Sequence, residues 1–351
     1  MEDVSGTADR TGRQRSRVES NFRACTSAVA QSLSWAGLLM AVAGIGLASQ
    51  AVAQSFPVKP VRWVVPYAPG GNTDMIARVI GAKMAESLGQ PVIVENRAGA
   101  ATLIGAEFVA RAAPDGYTLL LATSTTLAIN PHLYRKLPYD SVADFAPITL
   151  IARVPMVLMV HPSLPAKTVK ELVALARARP GQIANGTQGT GSPSYMASEL
   201  FKSAAGITLI DVPYKGSGPA VPDLLGGQIA MLFDNTSLSF VRAGRLHALA
   251  HTGEKRLSVA PEVPTMQEAG FGSVVFYSWQ GVVAPAKTPP EVVARLNSEV
   301  VRALKLPDVQ ARITAEGAEI LSVGPAPFGD YIKSEIGRFG KVIREAGVKP
   351  E

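Results

Sequence analysis

A glycine pair between a short apolar run and a longer amphipathic one is the first place where this chain could do chemistry. Residues 61–74 read Val-Arg-Trp-Val-Val-Pro-Tyr-Ala-Pro-Gly-Gly-Asn-Thr-Asp. The pattern predicts a buried strand over 63–65 and a break at Pro66, Pro69, Gly70 and Gly71. A helix is then entered at Asn72 or Thr73 and runs through Met75, Ile76, Val79, Ile80 and Met84. Asn and Thr suit the N-cap because their short side chains accept from the free N–H groups of the first turn. Glycines in front of such a helix let an anion approach bare amides, and the helix dipole adds partial positive charge. The plainer alternative is a tight turn joining two elements. A second string of the same make, Gly-Thr-Gln-Gly-Thr-Gly-Ser-Pro-Ser-Tyr, stands at 186–195 before a helix expected from Ser194 to about Ala205.

Other chemistries find fewer residues. A dinucleotide seat needs G-x-G-x-x-G, which Gly70-Gly71-Asn72-Thr73-Asp74 lacks and which Gly189-Thr190-Gly191 begins but loses at Ser194. Neither a phosphate-binding G-x-x-x-x-G-K-[ST] nor a G-x-S-x-G nucleophile elbow occurs. A serine nucleophile would need a histidine base, and the four histidines are His132, His161, His247 and His251. The first two stand beside prolines, and the last two lie four apart in strand-like sequence, unlike a helical H-E-x-x-H pair. Asp74, Asp211 and Asp234 are the carboxylates that could pair, although nothing in the sequence brings them together. No metal site and no cofactor are expected.

The 351 residues suffice for a large core and two domains, and 47% hydrophobic with 18% charged residues excludes a disordered chain. The net charge is +6; five arginines against four acids before Ala53 leave +5 for the remainder. Those charges are scattered and have few aromatics between them, which argues against nucleic-acid binding. The single cysteine, Cys25, falls in a first segment with an arginine-bearing start, an apolar stretch over 35–47 and Ala51-Val52-Ala53. That order reads as a secretory signal peptide over 1–53, cleaved near Ala53, with a membrane anchor as the alternative. The expected mature chain is periplasmic and cysteine-free.

Strands and helices alternate after that leader. Expected strands at 92–94, 117–122, 183–185, 207–212, 229–233 and 246–250 are separated by helices, including 169–178, 194–205 and 220–225. Such alternation argues for βαβ units, with ligands beyond the carboxyl ends of the strands. Both 67–73 and the polar run 123–126 follow strand ends, so one crevice could receive both. A strand over 274–283 crosses back to the first half, and helices near 289–304, 307–316 and 327–346 close the chain. Two glycine-fronted helix starts, one in each half, fit two lobes closing on one anion.

The string Pro66-Tyr-Ala-Pro-Gly-Gly-Asn-Thr-Asp74 with Ala77-Arg78 resembles the first motif of the tripartite tricarboxylate transporter substrate-binding proteins, the Bug (TctC) family. Val94-Glu-Asn-Arg-Ala-Gly99, Pro114-Asp-Gly-Tyr-Thr118, Gly189-Thr-Gly-Ser192, Val212-Pro-Tyr-Lys-Gly216, Leu224-Leu-Gly-Gly-Gln228 and Val263-Pro-Thr265 continue the match in order, over essentially the whole mature chain. The resemblance implies a type II periplasmic-binding-protein fold of two α/β lobes joined by two crossing strands. Lobe one would hold 54–154 and 276–351, and lobe two 155–275. It also implies a small mono- or dicarboxylate ligand, delivery to cognate membrane permease subunits, and a monomer.

Carried over by resemblance, the ligand-binding residues are Tyr67, Gly70, Gly71, Asn72 and Thr73, with Ser124 and Thr125 beside them. Lobe two would add Thr190, Gly191, Ser192, Tyr214, Lys215 and Asp234. Tyr67 and Tyr214 could equally pack over turns, and Lys215 could be a solvated charge. Asp234 would repel a carboxylate unless the ligand also carries an ammonium or hydroxyl group. His251 stands where the family more often has an aliphatic residue, and Gly253 where it more often has serine. Two rival roles stay open: a periplasmic carboxylate sensor for a two-component kinase, and an enzyme using the same crevice.

Overall fold

The computed structural model describes residues 56–350 apart from Thr190, Glu316, Ala346 and Lys349. The expected signal peptide over 1–53 therefore lies outside the described residues. Strand β1 (Val61–Val65) is buried except at Arg62 and is followed by helix α1 (Asn72–Leu88). Buried Ile76, Ile80, Met84 and Leu88 recur at the spacing that lays one helical face on a sheet. Strand β2 (Val92–Asn96), helix α2 (Leu103–Ala110) and strand β3 (Thr118–Thr123) follow. A π-helical turn, Thr125–Ile129, then leads into the short α3 (Asn130–Leu133). Strand β1 pairs in parallel with both β2 and β3, so the loops after β1 and β3 emerge on one edge.

Strand β4 (Phe145–Pro155) runs through Met156 into β5 (Val157–Val160), which already belongs to a second sheet. That sheet also takes β6 (Ala184–Thr187), β7 (Ile210–Pro213), β8 (Met231–Asp234) and β9 (His247–His251), in the order β7-β6-β8-β5-β9. Helices α4 (Val169–Ala178), α5 (Pro193–Ala205), α6 (Ser217–Leu225) and α7 (Leu238–Arg242) connect its strands. Strand β10 (Tyr277–Pro285) returns to the first sheet between β3 and β4, antiparallel to both. Helices α8 (Pro290–Leu304) and α9 (Pro307–Thr314), strand β11 (Glu319–Val323) and helix α10 (Pro325–Glu345) complete the first lobe. Its order is β11-β4-β10-β3-β1-β2. The fold is thus two α/β lobes of the periplasmic-binding-protein kind. No helix among the described residues is long and apolar enough to cross a membrane.

The two crossings are tied by one buried threonine. Thr252 donates its N–H to Met156 O and accepts Met156 N–H on Oγ1 at 2.9 Å. The same hydroxyl donates to Phe276 O at 2.6 Å, and Phe276 N–H returns to Thr252 O. Both passages between lobes therefore meet at Thr252.

The two departures that flank Thr252 depend on each other. His251 is fully buried and accepts Gly253 N–H on Nδ1 at 3.1 Å. A β-carbon at Gly253 would stand 3.0 Å from that nitrogen and 3.3 Å from Pro155 Cβ. The imidazole fills the space that a serine at 253 would need. Gly253→Ser is expected to destabilise the protein, and His251→Leu to relieve much of that loss. A double-mutant cycle by urea unfolding should return a coupling of about 0.5–3 kcal/mol; additive losses would refute it. Burial also lowers the His251 pKa from 6.5 to about 4, so the folded state keeps the ring neutral while the unfolded chain protonates it. The unfolded state binds the extra proton between those values, so stability should fall as pH drops from 6.5 towards 4. In melting scans, His251→Leu should flatten that slope.

Candidate functional site

The loop between β1 and α1 is shaped from behind by a buried carboxylate. Asp74 accepts Gly70 N–H at 3.1 Å, Arg78 Nε at 3.1 and 3.0 Å, and Asn96 Nδ2 at 2.9 Å. Asn96 Nδ2 also donates to Tyr67 O, and Arg78 Nη2 donates to Asn96 Oδ1, each at 3.0 Å. Burial alone would raise the Asp74 pKa. The hydrogen bonds from Arg78, Asn96 and Gly70, with the Arg78 charge, outweigh it and hold the carboxyl below its ordinary value. Asp74 thus fixes the loop and does not itself line the cleft.

With Gly70 held at φ +92°, the helix begins at Asn72 as expected, but its cap differs. Gly71 is the N-cap, its carbonyl accepts Met75 N–H, and no side chain caps the helix. Asn72 and Thr73 lie inside the first turn, where their side chains cannot reach back as caps. The first-turn amides are therefore left to solvent or a ligand.

The second glycine-fronted helix start carries a side-chain cap. At α5, Ser192 turns its hydroxyl onto its own helix and accepts Tyr195 N–H at 3.1 Å. Gly191 is occupied as well. A β-carbon there would meet Leu133 Cδ1 at 2.3 Å, and Thr125 Oγ1 donates to Gly191 O at 3.3 Å across the lobes. Thr190 lies outside the described residues. Of the second lobe's helices, α6 and α7 start without a side-chain cap; α6 begins at Ser217 rather than near Ala220, with Gly216 as N-cap, and faces the cleft. Pro219 does not delay the helix, because a first-turn residue has no intrahelical use for its N–H.

Asp234 stands behind this second start. Its Oδ1 accepts Ser217 Oγ at 2.7 Å and Gln188 Nε2 at 3.0 Å. Its Oδ2 accepts Thr236 N–H, Thr236 Oγ1 and Ser237 Oγ at 2.8, 2.7 and 2.6 Å. The carboxylate is fully buried with its lone pairs taken, and it does not line the cleft. Nor do Asp74, Asp211 and Asp234 form a pair. Asp211 accepts from Lys202 and Asn185, so each of the three carboxylates has its own partners.

Between the two uncapped starts lies a small polar room. Tyr67, Gly71, Asn72 and Thr73 line it from the first lobe, and Gln188, Gly216, Ser217 and Asn235 from the second. Thr123, Ser278 and Gln280 form its floor: Gln280 pairs with Thr123 across β10 and β3, and Ser278 lies two residues earlier on the same face. The Tyr67 hydroxyl stands 3.4 Å from Thr123 Oγ1, so the two strand ends do converge. Burial raises the Tyr67 pKa, so this hydroxyl stays neutral. The room leaves about 30 Å³ for the centres of water-sized spheres, space for one small polar group and a water or two. Its described lining contains no His, Cys, Lys, Arg, Asp or Glu.

Of the other expected residues, Gly70 binds Asp74, and Ser124 and Thr125 are buried just beyond the lining residue Thr123. Tyr214 and Lys215 border a larger adjoining chamber of about 250 Å³, reached past Tyr67 and Gln188. There the Tyr214 hydroxyl donates to Asp223 at 2.7 Å. The floor residues went unnoticed in the sequence, although Ser278 and Gln280 alternate as polar positions in an otherwise apolar strand.

Two lobes that meet over a seat of neutral donors define a solute-binding protein of the periplasmic type. The chain belongs to the tripartite tricarboxylate transporter family receptors, whose model matches residues 76–348. It is 40% identical to Protein BugT of Bordetella pertussis, over 89% of this chain and 98% of that one. An R. palustris protein solved with adipate superposes with a TM-score of 0.82 at 37% identity, covering 85% of this chain and 100% of that one. MatC from Rhodopseudomonas palustris with bound malate gives 0.79 at 35%, covering 82% and 100%. The family is one of substrate-binding receptors.

Removing the charge behind the first jaw tests this construction. Asp74→Asn should cost about 1.5–3 kcal/mol in urea unfolding, because hydrogen bonds to a charged partner are lost from a buried site. The Asp74 pKa is depressed in the folded state, so its contribution is present above pH 3.8 and is lost as pH falls through the folded value. Wild-type stability for the variant at pH 7 would contradict the role.

Proposed function

We propose that this protein is an exported receptor that closes on one carboxylate group of a small ligand and passes the ligand to the permease of its transport system. The observation that carries the reading is the pair of uncapped helix starts, α1 and α6, facing one small room from opposite lobes. Backbone amides at helix N-termini bind anions without a buried counter-charge. Tyr67, Gly71, Asn72 and Thr73 make one jaw of the seat, and Gly216 and Ser217 the other. Gln188 is held by its bonds to Ser217 and Asp234. The Thr125–Gly191 bond joins the lobes when they are together and contributes to the closed state.

Tyr214 and Lys215 belong to the adjoining chamber, where the rest of the ligand extends. Lys215 is exposed there and offers a screened charge rather than a fixed clamp. The relatives solved with adipate and malate support a carboxylate ligand. The leader expected over 1–53 supports export to the periplasm, and the family description supports the permease as partner. The family description, one of receptors, favours a receptor over an enzyme.

Thermal unfolding of the purified protein against a panel of mono- and dicarboxylates tests the reading. A ligand at a hundredfold excess over its Kd should stabilise the protein by about 2.7 kcal/mol. Turnover of a carboxylate without any such shift would sink it. Gly71→Pro separates amide binding from shape. Gly71 has φ −84°, which proline tolerates, and nothing lies within 4 Å of an added β-carbon. The variant should fold and bind its carboxylate at least about tenfold more weakly, the worth of one charge-assisted hydrogen bond. Unchanged affinity would refute the amide seat.

A further inference from the structure

The floor of the cleft holds an acceptor that a carboxylate cannot satisfy. Gln280 is 2% exposed, on the strand that crosses back between the lobes. Its Oε1 is fully buried and has no hydrogen-bond partner among the described residues. Asn72 Nδ2, on the first jaw, is buried and unpartnered in the same way. Neighbouring polar groups are engaged: Thr123 Oγ1 with Tyr67 and Thr126, Ser217 Oγ and Gln188 Nε2 with Asp234. A carboxylate brings acceptors only. It suits Asn72 Nδ2 and the helix amides, but it faces Gln280 Oε1 as one acceptor faces another.

We propose that Gln280 is a specificity-determining residue that accepts a hydrogen bond from a hydroxyl or ammonium group next to the ligand's bound carboxylate. The ligand class is then a hydroxy- or amino-carboxylate rather than a plain alkane carboxylate. The inference rests on the carboxylate-receptor reading and deepens it. The small room explains why discrimination follows. In the free protein a water can serve the Gln280 oxygen, and a ligand filling the seat displaces that water. A ligand with a donor there replaces the lost bond, whereas one without it leaves a buried acceptor bare. Sites built this way reject the analogue that lacks the polar group.

Calorimetric titration of the purified protein with matched ligands tests the assignment. The sets are propionate, lactate, alanine and pyruvate; succinate, malate and aspartate; and glutarate, 2-hydroxyglutarate, glutamate and 2-oxoglutarate. Within whichever set binds, the hydroxy or amino member should bind about tenfold or more tighter than the unsubstituted one, as expected for a buried acceptor left unpaired. Malate-type against aspartate-type affinity then tells hydroxyl from ammonium. In Gln280→Met, which keeps the side-chain length, the ratio of substituted to unsubstituted affinity should shrink towards one. Three results would overturn the proposal: an unsubstituted acid binding as tightly as its hydroxy and amino partners, an oxo acid binding tightest, or Gln280→Met weakening every member alike. Should the variant fail to fold, the wild-type ratios decide alone. Failure of every carboxylate to bind would instead remove the receptor reading, and this inference with it.

Discussion

A helix that begins without a side-chain cap leaves amide protons that water or a ligand has to meet, and this protein places two such beginnings face to face. Gly71 and Gly216 are the N-caps, and neither can supply the oxygen that Ser192 and Thr168 supply at α5 and α4. Glycine at these two caps has the effect of exporting the hydrogen-bonding demand of the helix into the space between the lobes. On the proposed reading, an anion in that space would meet donors from both sides, and holding the lobes together and binding the anion would be one event. The attraction comes from partial charges on backbone that is already fixed, so no buried cation has to be desolvated.

Much of the surrounding structure keeps charge close to this seat but out of it. Asp74 draws Gly70 N–H, Arg78 and Asn96 to the back of the first loop, and Asp234 collects its hydroxyl and amide donors behind the second helix start. Each carboxylate organises a jaw while its own charge is consumed by neighbours. Further along, Thr252 ties both interlobe crossings through one hydroxyl.

The first strand, turn and helix were legible in the sequence because they are local: strand, prolines, glycines and helix occupy 61–88 without a gap. Helix 169–178 was legible for the same reason, its cap and apolar spacing lying within one segment. The capping at the second glycine string was not legible: Gly189-Thr-Gly-Ser192 looks like an anion loop until the Ser192 hydroxyl is seen to bond its own helix. The true start at Ser217 was hidden by Pro219, read as a boundary rather than as a first-turn residue. Asp234 looked like a ligand contact because its donors at 188 and 217 are far away in sequence. Ser278 and Gln280 reach the cleft only through the antiparallel pairing of β10 with β3, which no local pattern announces. The coupling of His251 to Gly253 was visible only as two departures; their contact gives the reason.

The central claim is that backbone amides at the starts of α1 and α6 hold the ligand's carboxylate. Amide-resolved nuclear magnetic resonance of isotope-labelled protein, titrated with a carboxylate that binds, observes those protons directly. The amides of Gly71, Asn72, Thr73, Gly216 and Ser217 should move downfield together at one saturating stoichiometry, and slow in hydrogen exchange. Saturation that leaves these amides unmoved, with the shifts gathered at Ser192 or at Lys215 instead, would contradict the account.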